Sequence, residues 1–580
     1  MKIKHLNPSE RLSLFKSLYE KAKNRYREEL IKFDRHLAQY RGSSEIDGST
    51  ERASAVRNIT YEIIESQVSS DIPTPKVDAA CYSEERDRCA KSVERLLSAV
   101  RDRLSFEEMN DLDERFTYIY GGSVWLVEWE NETRLADEIG SVKITCLPPK
   151  SLIPEPGMTE IDGMDYCFLR FPASRSELGR RYGISDEELA KCAADTDMEA
   201  DTDDGDIATE ILCFYRDEEG EVGRFAFSGD LTLSDLPNYY MRKRKVCKKC
   251  GKPEGECLCE SPIYELVNQR NERIGASEAD LPSLTIPYYV PRSFPLVIRK
   301  NTSLERSLFG QSDCEYLRPE QQAINKIESR ILQKLLRAGI TPIVPEDATI
   351  VLNNSVFGQV IKMKPSENPA QYGKVDTTPD ISQDIAEAER LYVHAKRIMG
   401  ISDAYVGISE SKSESGYARQ LQISQASGRL ESKRKMKFTA YADLDRLIFE
   451  HYLAFADEPR RLSFRDAYGR IHNADFNRVD FLFYDRRAGE YRYDDGYLFS
   501  VDLNGGIEGQ RNVLWEKNLE NLKCGALGDP SSDETLLRYW QAQERAHYPF
   551  ARENVEYFLS RQRGEVTPFE QDAFSGILPS

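Results

Sequence analysis

The sequence predicts an α+β fold built from long helices and separate β-rich stretches, spread over several domains. Three observations carry this. Apolar residues recur every three or four positions over 8–39, 311–338 and 379–400, and along the second half of 416–456, which is the helical period. Residues 123–146, 208–228 and 460–503 read as strands between turn formers. At 580 residues, the chain is long enough for more than one core.

Residues 8–39 predict a long helix. Asn7 suits the N-cap, Pro8 the first helical position and Glu10 the third. Its stripe is Leu12, Phe15, Tyr19, Ala22, Tyr26, Leu30, Phe33 and Leu37. A second helix is expected over 53–70, before Pro73 and Pro75, and one broken helix or two over 84–119. Residues 123–129 and 142–146 pair as strands, with 135–140 as the linker that closes the hairpin. A proline-rich turn follows at Pro148, Pro149, Pro154 and Pro156. Residues 186–206 hold ten carboxylates and one lysine, so a solvated loop is expected. Asp201, Asp203 and Gly205 miss the spacing of a calcium loop. Strands resume at 208–228.

Residues 311–338 predict a helix with Leu317, Ile324, Ile327, Ile331 and Leu335 on one side, stopped by Gly339 and Pro342. Short strands are expected at 342–344 and 349–352. The next helix starts near Asp380, with Gln383 placed as in a capping box. Its apolar positions are Ile385, Ala388, Leu391, Ala395 and Ile398, and Gly400 ends it. A polar loop, 401–415, leads to a very long helix, 416–456. Residues 460–503 are expected to be β-rich and 507–565 helical.

Acidic residues number 98 against 79 lysines and arginines, a net charge of −19. Proteins that grip nucleic acid are usually basic, because phosphate contacts dominate their affinity. A DNA partner of this chain would be passed rather than held, or the acidity serves solubility alone. No apolar run approaches the roughly 18 residues that cross a bilayer, and MKIKHLNPSERL lacks a secretory segment, so a cytoplasmic product and no membrane partner are expected. No P-loop, H-E-x-x-H or G-x-S-x-G is present. The six histidines include His394 and His451 on helices, where structural roles are commoner than catalytic ones. The chain is expected not to be an enzyme.

One cluster rises above this background. Cys247, Cys250, Cys257 and Cys259 lie within a loop at 242–260. Cys247-x-x-Cys250 followed by Gly251 is a zinc-knuckle half-site, and Cys257-x-Cys259 is a shorter second half. Four thiolates form a closed, structural tetrahedral site. Arg242, Lys243, Arg244, Lys245, Lys248 and Lys249 favour the thiolate form. The alternative is four free thiols in a loop. The other eight cysteines, such as Cys146 and Cys213, are scattered and read as reduced core residues.

The order of elements over 290–456 resembles the portal proteins of tailed bacteriophages. Phe309-Gly310-Gln311-Ser312-Asp313 leads into Leu317, Gln321, Ile324-Asn325 and Ser329, similar to the start of a portal stem helix. Gly400-Ile401-Ser402-Asp403-Ala404-Tyr405-Val406-Gly407 and Ser415-Gly416-Tyr417-Ala418 resemble the tunnel loop and the helix after it. Upstream, Tyr120-Gly121-Gly122-Ser123-Val124 and 148–165 resemble the wing. The likeness touches 50–456 and is strongest over about 165 residues. The cysteine cluster departs from the family, and 457–580 carries no motif of it.

The resemblance implies a ring, commonly of twelve subunits, that forms the DNA channel at one capsid vertex. It maps the wing to 1–310, one stem helix to 311–338, a small α/β clip to 339–378 and the second stem helix to 379–400. The tunnel loop falls at 401–415, the long helix at 416–456, distal wing strands at 457–505 and a helical crown at 506–580. Ser409, Ser411, Lys412, Ser413 and Glu414 would line the channel. Lys412 would be the cation nearest to passing double-stranded DNA, bound without sequence preference, unless it only pairs with Glu410 or Glu414. The clip would meet the terminase large subunit and then head-tail connector proteins. The wing would meet the major capsid and scaffold proteins. Assembly would occur in the bacterial host cytoplasm and the product would sit in the virion. Helices with one apolar and one mixed face, as at 311–338, suit packing around an axis, although a monomeric helical domain has the same periodicity. Two other readings remain open: a zinc-containing nucleic-acid-processing enzyme, which needs an open metal site, and a soluble adaptor or scaffold with a zinc-stapled loop.

Overall fold

Asn7 caps the first helix, α1 (Pro8–Arg41), and the Glu10 carboxylate accepts from the Asn7 amide at 2.9 Å. The computed structural model describes the chain apart from residues 1–2, 4–5, 44–54, 82, 136–137, 196–205, 238, 241–243, 248–263, 268–288, 338–339, 344–351, 356–357, 362–372, 377–378, 402–415, 457–458, 466–470, 488–489, 503–507, 531, 546–547, 549–550 and 563–580. After α1 come α2 (Ile59–Glu65), β1 (Thr74–Ala79), α3 (Glu84–Arg103) and α4 (Phe106–Tyr120). α2 is shorter than the 53–70 expected. Residues 84–119 form two helices, broken at Leu104 and Ser105.

β2 (Gly122–Leu135) and β3 (Glu138–Leu147) make a hairpin longer than the sequence suggests, because the expected linker itself pairs, Leu135 with Glu138. Next come β4 (Leu152–Pro154), β5 (Tyr166–Ser174), α5 (Arg175–Tyr182), α6 (Asp186–Leu189), β6 (Ile207–Arg216), β7 (Val222–Ser228) and β8 (Leu231–Leu236). The acidic segment therefore opens with a short helix. The five strands form one antiparallel sheet in sequence order. α1 lies across it: Phe15 stacks on Phe225 at 4.7 Å, and Tyr19 meets Phe168 edge-on at 5.4 Å. Cys146 and Cys213 are free and buried. β9 (Arg244–Cys247) and β10 (Tyr264–Val267) pair as an antiparallel hairpin. β11 (Leu296–Lys300) returns to β2 and completes a three-stranded sheet, β11-β2-β3.

α7 (Asp313–Arg337) is followed by four short strands, β12 (Ile340–Ile343), β13 (Leu352–Ser355), β14 (Gly358–Ile361) and β15 (Gly373–Asp376), and then by α8 (Ser382–Met399). β12 pairs with β15 and β13 with β14, so the insert is closed at its base by strands that enter and leave side by side. β12 and β13 differ from the expected 342–344 and 349–352, because pairing partners rather than local propensity choose the strands. α8 starts at Ser382, two residues after Asp380, whose carboxylate accepts from the Ser382 amide at 2.9 Å. α9 (Gly416–Phe455) runs for 40 residues, about 60 Å at the helical rise. β16 (Arg460–Arg465) pairs with β17 (Ile471–Phe476), β18 (Leu482–Asp485) with β19 (Glu490–Tyr493), and β20 (Tyr497–Asp502) with β1.

The chain divides into two compact units. The first comprises 1–70 and 75–501, and the second 71–74 and 502–580. The second holds α10 (Glu508–Lys523), α11 (Asp533–Arg545) and α12 (Ala551–Gln562) around Leu522, Leu537, Trp540 and Val555. Among the described residues no helix is long and apolar enough to cross a membrane.

Candidate functional site

α4 places Asn110, Asp113, Glu114 and Thr117 at the i, i+3, i+4, i+7 spacing of a core stripe, and none is more than 2% exposed. A polar stripe on a buried face must find partners. Arg299 of β11 supplies them. Its guanidinium contacts the Asp113 carboxylate and lies 2.8 Å from that of Glu114. The Trp125 indole donates to Asp113 at 3.0 Å, and the Ser123 hydroxyl donates to the same oxygen. From α9, the Lys437 ammonium reaches Glu114 at 3.0 Å. One turn earlier, Lys433 donates to Asp313 at the start of α7 at 2.7 Å. Asn301 donates to Asp313 at 2.8 Å and Gln67 at 3.2 Å.

Three carboxylates and three cations are thus shut into one region, and they tie α4, α7 and α9 to the three-stranded sheet. Burial acts to raise the Glu114 carboxyl, but Arg299 and Lys437 beside it bring it down to about 2. Burial pushes the Lys437 ammonium below its usual range, with Glu114 opposing. Every charge in the group has an opposite partner. The arrangement does mechanical work: it fixes where α7 and α9 leave the sheet.

Two glycine segments meet beside this cluster. Gly121 ends α4 at φ +92, and its carbonyl accepts from the Gly310 amide at 2.9 Å and the Asn301 amide at 3.0 Å. A Cβ on Gly121 would lie 2.2 Å from the Gly310 carbonyl oxygen. The Ser312 hydroxyl donates to the last turn of α4, at the Ile119 and Tyr118 carbonyls.

From this anchor α7 and α8 project as an antiparallel pair. Leu317, Ile324, Ala395 and Met399 pack with Ile59 and Ile63 of α2 near its base. Arg330 and Lys334 hold Asp384 near the far end, the first at 2.6 Å. There the expected apolar stripes run out into solvent. Leu335 is 50% exposed, Leu336 69% and Ile385 47%. Leu335 and Ile385, members of the expected apolar stripes, are thus exposed in the single chain.

Of the sequence-predicted site residues, only Cys247 lies among the described residues. The backbone of Cys247 ends β9, while Cys250, Cys257 and Cys259 lie outside the described residues. So do Ser409, Ser411, Lys412, Ser413 and Glu414. His451 is buried and bonds the Leu447 carbonyl at 2.8 Å, and His394 pairs with Glu320 at 3.1 Å. Among the described residues, Asp217, Glu219 and Glu221 bring carboxylates within 4.8 Å of one another on the β6–β7 turn, a set with the oxygen donors of a cation site. Asp217 already caps that turn, accepting from the Glu219 and Glu221 amides at 2.9 and 2.8 Å. Sequence reading missed the ionic cluster, although the Asn110–Thr117 spacing was a visible signal. A scan of protein-family models and a search of curated proteins found no match to this chain.

Proposed function

We propose that the chain is the subunit of a portal ring, the DNA channel at one vertex of a tailed-phage capsid. One observation carries the reading. An antiparallel helical pair, α7 and α8, encloses a small β insert closed by β12 and β15, and a 40-residue helix follows. This is the stem, clip and tunnel-helix order that the motifs resemble. The exposed Leu335, Leu336 and Ile385 at one end of the pair support it further, because helices ranged around an axis would cover them with the next subunit.

In this reading the subunit does no chemistry. The terminase large subunit supplies the ATPase and meets the β insert, head-tail connector proteins take its place after packaging, and capsid and scaffold proteins meet the wing. The ring, of twelve subunits as the resemblance implies, passes double-stranded DNA, with Lys412 nearest the phosphates. Zinc on Cys247, Cys250, Cys257 and Cys259 would be structural. Negative-stain microscopy and native mass spectrometry of the purified chain test the proposal. Rings with a central hole are expected. A strictly monomeric protein at high concentration, across several salts, overturns it.

A further inference from the structure

Six histidines occur in the 580 residues, and two of them meet carboxylates near the start of α7. His36, in the last turns of α1, lies 3.1 Å from Glu315 through its Nε2. His394 of α8 lies 3.1 Å from Glu320 through its Nδ1. Their surroundings differ. His36 is 5% exposed, whereas the His394 side chain is 56% exposed.

A carboxylate only accepts, so the Nε2–H of His36 donates to Glu315 and Nδ1 carries the lone pair. That Nδ1 is buried and has no hydrogen-bond partner among the described residues. A second proton there would be a buried donor without an acceptor. Glu315 is a poor counter-charge for it, because the Arg318 guanidinium already donates to the same carboxylate oxygen. The cavity of about 760 Å³ that His36 lines sets Arg25, Lys32 and Arg306 against Glu29 and Glu155, so it does not favour a further cation. Burial holds the imidazole below its ordinary value of 6.5, with Glu315 opposing. The same joint includes the Cys314 thiol, which donates to the His36 carbonyl at 3.6 Å. The Gln39 side-chain amide donates to the Cys314 carbonyl at 3.0 Å.

We propose that His36 is an acid-sensitive latch: on protonation the last turns of α1 part from the start of α7, while α7 and α8 stay together. The opened joint takes up the proton first, so the latch contributes fully above pH 6.5 and weakens as pH falls. His394 acts in the other sense. Its protonated ring gains a modest attraction to Glu320 and, being exposed, needs no buried acceptor. Acid thus loosens the hold of α1 on the hairpin and leaves the hairpin itself closed. The device is internal to the chain and independent of ring formation.

The test is hydrogen–deuterium exchange of the intact chain at pH 7.5 and 5.5, corrected for the intrinsic pH dependence of exchange. One pH unit below 6.5, a histidine that stays neutral when latched favours the open joint about tenfold. Amides over 33–41 and 313–318 should exchange faster by up to that factor, and those over 385–399 should not. His36→Gln keeps a donor for Glu315 and takes up no proton, so it should lose the pH dependence. Glu315→Gln should keep it, which separates His36 from titration of the carboxylate. Exchange of the histidine C2 hydrogen needs no variant, reads the His36 titration directly and should give a midpoint below 6.5. A midpoint at or above that value overturns the proposal. So does an acid response that survives in His36→Gln or is shared equally by α8.

Discussion

Glu114 joins the stability of the fold to pH. Its ordinary value of 4.5 falls to about 2 in the folded chain: burial alone would raise it, and Arg299 and Lys437 more than reverse that. The unfolded chain therefore takes up this proton first. The carboxylate's contribution is complete above pH 4.5 and declines as pH falls towards 2. Urea melts at pH 7 and pH 3 should differ more for the wild type than for Glu114→Gln. At pH 7 that substitution should cost about 3–5 kcal/mol, because it removes the carboxylate shared by the buried Arg299 and Lys437. An identical acid slope in both proteins would refute the assignment. The cysteines give a second expectation. Elemental analysis should find about one zinc per chain, lost in Cys250→Ser together with protease resistance over 240–262. A metal-free wild type with the same resistance would remove zinc from the reading. Residue type alone revealed the cysteines, because thiolates at such spacing have few other uses. The ionic cluster needed the fold, since Arg299 and Asp113 are separated by the whole five-stranded sheet in sequence.

Helices and strands were more legible than contacts. α1 and α9 follow their stripes and caps to within two residues of expectation, since a 3.6-residue period repeated many times leaves little ambiguity. The short strands of the insert did not, because a four-residue strand is chosen by its partner. The meeting of Gly121 with Gly310 was likewise invisible beforehand, although both segments stood out as motifs. Gly121→Ala should be among the most damaging single changes in the first unit. It needs φ +92 and would drive a methyl into the Gly310 carbonyl at 2.2 Å. Gly157→Ala shares the positive φ, +87, but meets open space. It should cost only about 1 kcal/mol, and thermal melts of the two variants should rank in that order. Equal melting temperatures would show that the close approach is not needed.

For the molecule as a whole, the α+β class and the helical C-terminal part were legible from texture alone. The division into two units was not, since 71–74 joins 502–580 only in space. Assembly is tested where the hairpin is barest. Leu336 is 69% exposed, so Leu336→Glu should leave the melting of an isolated chain within about 0.5 kcal/mol. In a ring it would place a charge against apolar neighbours, and sedimentation should move from the assembled species towards monomer. Rings of unchanged stability would mean that this tip faces solvent after assembly.

The pairing of β12 with β15 has a consequence for how such a chain diverges. Ile340 lies opposite Asp376 and Ile343 opposite Gly373, so entry and exit of the insert are held one strand spacing apart, about 5 Å. The helices behind that gate register only its width. Doubling the length beyond it adds only about 0.6 kcal/mol of closure entropy. Changes of sequence or length there can leave the mutual packing of α7 and α8 intact, so the fold lets the two parts vary independently within one polypeptide.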